Sequence, residues 1–128
     1  MTFEALKKIA EETLNPWDLT EDASSGGVAA ALETDKGNVY TGVCIDVPCS
    51  MGFCAEHAAI AAMITARENR IVRMVAVHRT ENGVEPVPPC GRCREFVYQI
   101  CHENIGCEVM LKNRVATLRE LLPELWTD

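Results

Sequence analysis

The chain has few aromatic and few basic residues, and this narrows the range of possible partners. Aromatic side chains make up 5% of the 128 residues, and 12 lysines and arginines face 19 aspartates and glutamates, for a formal net charge of −7. Proteins that bind nucleic acids cluster Lys and Arg in order to neutralise phosphates. The acidic balance therefore argues against a nucleic acid polymer as the partner.

The chain also lacks a long apolar run, and its cysteine usage is unlike that of a secreted protein. No apolar run approaches the roughly 20 residues that a membrane span needs, so we expect no membrane partner. Met1 leads into a charged amphipathic segment, and the seven cysteines are an odd number, so we expect free thiols in a reducing cytoplasm. With 48% hydrophobic residues and no linker or repeat, residues 1–128 are predicted to form a single domain.

The residues that carry chemistry fall in two short segments, CAE at 54–56 and PCGRC at 89–93. Three thiols suit a catalytic zinc site, because three protein ligands leave the fourth tetrahedral position open for water. The two cysteines of the second segment are three residues apart, so a helix that begins there places both sulfurs on one face. We therefore predict that Cys54, Cys90 and Cys93 bind one zinc ion per subunit.

Other side chains near these cysteines are predicted to assist the metal. Glu56 stands two residues after Cys54 and is expected to point at the open position, where a carboxylate that is not a ligand can shuttle protons. Three thiolates leave a net negative charge around the zinc, and Arg92 is the candidate to offset it. His57 is expected to support the thiolates, or an interface, from outside the ligand set.

A closed structural zinc site is the simplest alternative. Cys49 could supply a fourth sulfur, although a structural site has no use for an acid such as Glu56 aimed at a filled coordination shell. The remaining histidines, His78 and His102, are expected at the surface, and Arg94 is expected to be a solvated charge.

Hydrophobic periodicity predicts an α/β order of elements. Helices are predicted over 2–14, 54–69, 92–103 and 117–125, and strands over 28–33, 39–45, 71–78 and 107–112. The first two strands form a hairpin, the segment 17–27 is expected to be a loop, and 84–88 is expected to connect to the second metal segment. A hairpin followed by alternating helices and strands is typical of a layered α/β sandwich.

These motifs resemble the cytidine deaminase superfamily over residues 28–126, in the small branch whose zinc is held only by cysteines. The segments 41–43, 89–94 and 119–123 are most similar to blasticidin S deaminases. The resemblance implies a three-layer α/β/α sandwich with a mixed five-stranded sheet and a homotetramer in which neighbouring subunits complete each active site. It also implies hydrolytic deamination of an aminopyrimidine nucleoside, with release of ammonia.

The sequence departs from the family pattern at the residues that bind the sugar and the base. The family's sugar-binding Asn-x-Glu pair corresponds to Cys44 and Asp46, and the aromatic residue that stacks on the pyrimidine corresponds to Gly26 or Gly27. Asp46 can still accept a hydrogen bond from a hydroxyl, whereas a thiol is a poor donor. These changes favour a cytidine-like substrate with an altered sugar over plain cytidine.

Two functions of different classes remain after this comparison. The first is a zinc hydrolase in which groups around Ala55 and Pro88 hold the edge of the base. The second is a zinc-stabilised binding or scaffold protein that has the same fold without turnover.

Overall fold

The computed structural model describes residues 1–127 and consists of a mixed β-sheet with helices on both faces. The helices are α1 (Phe3–Thr13), α2 (Ala55–Thr65), α3 (Gly91–Ile100) and α4 (Leu118–Leu121), with a 3₁₀ helix at His102–Gly106. The strands are β1 (Trp17–Asp18), β2 (Ser24–Thr34), β3 (Val39–Asp46), β4 (Ile71–Thr80), β5 (Gly83–Pro86), β6 (Glu108–Met110) and β7 (Val115–Thr117). None of the helices within residues 1–127 has the length and apolar character required to cross a membrane.

The sheet is built around β2 and β4, which pair antiparallel along most of their length. β3 pairs with the other edge of β2, and β6 pairs parallel with β4 and antiparallel with β7. The short strands β1 and β5 pair antiparallel with β2 and β4 respectively. One parallel pairing among antiparallel ones makes the sheet mixed, as predicted.

Alternation along the central strands creates two cores, one on each face of the sheet. On one face, Leu6 and Ala10 of α1 pack on Ala31, Val75 and Val77. On the other face, α2 and α3 cover the alternate strand residues, and the cluster includes Ala30, Leu32, Met74, Ala76, Ile60, Met63 and Val97. This arrangement confirms the predicted three-layer α/β/α sandwich.

The structure corrects several predicted boundaries. The sheet has seven strands and not five. Three of them were not predicted from the sequence pattern: β1 lies in the expected loop 17–27, β5 lies mostly in the expected connection 84–88, and β7 follows β6. The third helix ends at Ile100, and a 3₁₀ helix follows it. The predicted helix 117–125 is reduced to the four residues of α4. Thr117 ends β7 and caps the helix, and at the other end Leu122 leaves the helical conformation because it precedes Pro123.

Helix α2 lies so close to β3 that a glycine is required between them. A Cβ atom at Gly42 would lie 2.6 Å from the Cβ atom of Ala58 and would also clash with the backbone nitrogen of Ala59.

We expect Gly42→Ala to lower the free energy of unfolding by about 1–3 kcal/mol, as overpacking of a core does. Urea denaturation measures this, with Gly106→Ala as the control, because a Cβ atom at Gly106 meets no atom within 4 Å. Equal stability of the two variants would contradict the close packing.

Candidate active site

The three predicted cysteine ligands converge where α2 and α3 begin. Cys54 is the N-cap residue of α2, Cys90 is the N-cap residue of α3, and Cys93 lies in the first turn of α3. The Sγ atom of Cys90 lies 3.5 Å from that of Cys54 and 3.5 Å from that of Cys93. Zn–S bonds of about 2.3 Å in a tetrahedral site place neighbouring sulfurs about 3.8 Å apart. The spacing of the three thiols therefore fits one shared zinc ion.

A fourth possible ligand, His57, stands beside these cysteines. Its Nδ1 atom lies 3.4 Å from the Sγ atom of Cys93, and the donor atoms of Cys54, His57 and Cys93 all lie within 4.8 Å of one another. The imidazole ring stacks on Phe96, with centroids 4.3 Å apart and planes inclined by 7°. The structure thus offers two overlapping sets of three donors, one with Cys90 and one with His57, and Cys54 and Cys93 belong to both.

Burial makes two of the three thiols, Cys54 and Cys93, poor acids unless a positive charge is near. Burial raises the pKa of Cys54, and it raises the pKa of the fully buried Cys93 far above its usual range. Burial also acts upward on Cys90, but hydrogen bonds from the backbone N–H of Cys93 and from the thiols of Cys54 and Cys93 outweigh it and lower the pKa. A divalent cation supplies the charge that stabilises such a group as thiolates. The chemistry of the donor set therefore suits a metal ion.

Glu56 is a buried carboxylate at the same place, and it is not part of the metal-ligand group. It lies in the first turn of α2, and 3% of its surface is exposed. Burial raises its pKa, although a hydrogen bond from the backbone opposes the shift. A carboxyl group with a raised pKa can both accept and donate a proton near neutral pH.

A cavity of about 640 Å³ opens beside Glu56 and two of the thiols. Most of the predicted site residues line this cavity, which we call the main cavity: Cys44, Asp46, Cys54, Ala55, Glu56, Pro88, Cys90 and Arg92. His57 instead lines a separate apolar groove with Phe96 and Ile64. The thiols thus stand between the main cavity, which contains the carboxylate, and a groove that contains the imidazole.

The end of the main cavity formed by β3 contains a thiol and a carboxylate that interact with each other. The Sγ atom of Cys44 accepts a hydrogen bond from the backbone N–H of Val28 at 3.3 Å and lies 3.7 Å from Oδ2 of Asp46. Cys44 is 7% exposed, whereas Asp46 is exposed. The carboxylate is therefore the accessible polar group at this end.

Two residues that line the main cavity were not predicted from the sequence, and the predicted environment of one arginine was wrong. His78 and Ser50 also line the cavity, and His78 is half-buried, in contrast to the expected surface position. Ser50 follows Cys49, and both have left-handed backbone angles, with φ of 61° and 62°, which no sequence pattern indicates. Arg94 is not a solvated charge: its guanidinium donates to the carbonyl oxygens of Pro89 at 2.8 Å and Leu121 at 3.1 Å.

The sequence of this chain is similar to those of known cytidine deaminases. The chain is 33% identical over 107 residues to a cytidine deaminase of Halalkalibacterium halodurans, covering 78% of this chain and 76% of the relative. It is 30% identical over 121 residues to a cytidine deaminase of Sporosarcina psychrophila, covering 91% of this chain and 82% of the relative. No family model matches the sequence.

Solved structures of similar proteins agree with the fold. The cytidine deaminase from Mycobacterium leprae superimposes with a TM-score of 0.80 at 26% identity, over 97% of this chain and 99% of that one. The cytidine deaminase from Burkholderia pseudomallei superimposes with a TM-score of 0.78 at 26% identity, over 98% of this chain and all of the other.

Proposed function

Because this chain belongs to the cytidine deaminase family, we propose that it is a zinc-dependent hydrolase that converts an aminopyrimidine nucleoside to the keto form and releases ammonia. The observation that carries this proposal is the position of Glu56. Its carboxylate is buried in the wall of the main cavity, next to three thiols whose spacing fits one zinc ion.

The proposed zinc ligands are Cys54, Cys90 and Cys93, with one ion per subunit. His57 is assigned to support Cys93 by a hydrogen bond from Nδ1, because its ring lines the apolar groove and not the main cavity. Arg92 lines the main cavity, where its charge offsets that of the thiolates. When bound, zinc would supply a Lewis acid that lowers the pKa of a water molecule toward neutral pH.

The proposed role of Glu56 is to move the protons. Its carboxylate accepts a proton from the attacking water and delivers it to the ring nitrogen beside the amino-bearing carbon. As the C–N bond breaks, Glu56 passes the second proton of the water to the leaving amine, which departs as ammonia. Burial of Glu56 raises its pKa above the usual range. A carboxyl group with a raised pKa can take up the proton of water and also release it to the base.

The substrate is proposed to lie between the metal centre and β3. Backbone groups at Ala55 and Pro88 line the main cavity and are assigned to hold the edge of the base. Asp46 is assigned to accept a hydrogen bond from the sugar, while Cys44 is a weak donor that already contacts Asp46. Because Cys44 and Asp46 stand where the family has its sugar-binding pair, we propose a modified nucleoside, such as blasticidin S, as the substrate in preference to plain cytidine.

The proposed assembly is a homotetramer in the cytoplasm. Helix α2 presents apolar residues on its outer side, where Ile64 is 44% exposed and lines the apolar groove with Phe53 and Phe96. Such a surface fits a neighbouring subunit. The free thiols at the site fit a reducing compartment.

Ammonia release over a panel of nucleosides tests the proposed function. We expect zinc-loaded protein to release ammonia from at least one of cytidine, deoxycytidine, 5-methylcytidine and blasticidin S, and not from free cytosine, which has no sugar for Asp46. If zinc is bound but no compound on the panel is converted, the result favours a substrate outside the panel or the alternative, a zinc-stabilised binding or scaffold protein.

A further inference from the structure

The floor of the main cavity is a single row of residues across three strands. Val28 on β2 lies directly opposite His78 on β4, and on its other side the backbone N–H of Val28 donates to the sulfur of Cys44 on β3. All three residues line the main cavity. Neighbouring strands place side chains on one face about 5 Å apart, so the row extends for about 10 Å from Cys44 to His78.

The side chain of His78 lies on the face of the sheet that α2 and α3 cover. Along β4, Met74 and Ala76 belong to the core under α2 and α3, whereas Val75 and Val77 belong to the core under α1. Because side chains alternate between faces, His78 lies on the α2 and α3 face, two residues beyond Ala76. On this face of β4, the apolar residues Met74 and Ala76 are therefore followed by a polar residue, His78, where the strand reaches the main cavity.

His78 stands at the β4 end of the row, and Cys44 stands at the β3 end, next to Asp46. The backbone N–H of Val87 donates to the carbonyl oxygen of Ala76 at 2.8 Å, and this bond fixes the segment that leads to Cys90 beside β4. A nucleoside whose sugar meets Asp46 and whose amino group meets the thiols would occupy the same cavity that His78 lines.

Two neighbouring features leave His78 available to a ligand. Glu85, its cross-strand partner on β5, forms an ion pair with Nζ of Lys112 at 3.4 Å. Gly27 lines the main cavity next to Val28, and a Cβ atom there would meet no atom within 4 Å. The wall on the β2 side therefore has no side chain at Gly27 that could contact the ring.

We propose that His78 is a specificity-determining residue that contacts the pyrimidine ring and discriminates between bases, while Asp46 reads the sugar. The imidazole is planar, so it can pack on a ring face, and its nitrogens can donate or accept a hydrogen bond at the ring edge. This inference rests on the proposed deaminase function and adds a residue to it.

The test compares two ratios of kcat/KM. The base ratio compares cytidine with 5-methylcytidine, and the sugar ratio compares cytidine with deoxycytidine. We expect His78→Ala to change the base ratio by about tenfold and the sugar ratio by less than about twofold. The Kd of uridine, a product that undergoes no reaction, is expected to rise as well, which a change in chemistry alone would not cause.

The matched control is a second histidine that lies outside the main cavity. His102→Ala removes an imidazole that stacks on Tyr98 outside the main cavity, and it should change neither ratio. If His78→Ala fails to fold, His78→Gln replaces it. An active wild-type protein whose base ratio is unchanged by the substitution refutes the role of His78 alone. If the wild-type protein converts only blasticidin S, an unchanged Kd of uridine in His78→Ala refutes the role of His78. If it converts no compound of the panel, blasticidin S included, the proposed function is refuted, and this inference falls with it.

Discussion

We expect Glu56→Gln to lower kcat for deamination by about 10²- to 10⁴-fold, the usual contribution of a general acid–base group. Glutamine has the size of glutamate, so the buried position, where 3% of the surface is exposed, remains filled. The amide cannot accept the proton of water and return it to the base. Because Glu56 does not belong to the metal-ligand group, zinc content should stay at the wild-type level.

The measurement is steady-state ammonia release, together with zinc content and the thermal transition of each protein. Glu68→Gln is the matched control, because Glu68 is also a buried carboxyl group but accepts hydrogen bonds from Tyr40 at 2.5 Å and Asn38 at 2.8 Å outside the main cavity. We expect the control to lose stability and to keep kcat. Wild-type turnover in Glu56→Gln would exclude the assigned role.

The second large effect concerns the metal. We expect Cys93→Ala to lose zinc and, with it, deaminase activity, and the fall in zinc affinity should exceed the roughly 10- to 100-fold that follows loss of a residue supporting a ligand. Cys93 is fully buried and lies 3.5 Å from the sulfur of Cys90, so an alanine leaves the site with one sulfur fewer and no replacement at that position.

Zinc content after dialysis, measured by elemental analysis, provides the comparison. Cys107→Ala is the matched control: Cys107 is 2% exposed, and burial raises its pKa to about 12, but it lies in the core away from the metal centre. The control should retain zinc. If zinc instead survives in Cys90→Ala and is lost in His57→Ala, the ligands are Cys54, His57 and Cys93, and the assignment of three sulfurs is wrong.

The outline of the fold and the convergence of the three cysteines could be predicted because they depend on local patterns. Alternating strands and the apolar α2 follow from hydrophobic periodicity, and the spacing of Cys90 and Cys93 follows from helix geometry. The short strands could not be predicted in this way. β1 and β5 contain two and four residues, and they exist because β2 and β4 offer unpaired edges.

The walls of the main cavity were the least predictable part of the site, because they depend on contacts between distant segments. His78 continues the alternation of Met74 and Ala76 on β4, and this pattern could have placed it on the inner face of the sheet. Its neighbours Val28 and Cys44 come from strands more than 30 residues earlier in the chain. The contact of His57 with Phe96 similarly joins α2 to α3, and no spacing within either helix indicates it.

The most direct test of hydrolytic deamination is the mass of the product formed by zinc-loaded protein in ¹⁸O-labelled water. We expect cytidine, or the preferred nucleoside of the panel, to yield a keto product that carries one oxygen atom from water, and one ammonia for each product molecule. A product without the label, or zinc-loaded protein that forms no product from any nucleoside of the panel, would contradict this expectation.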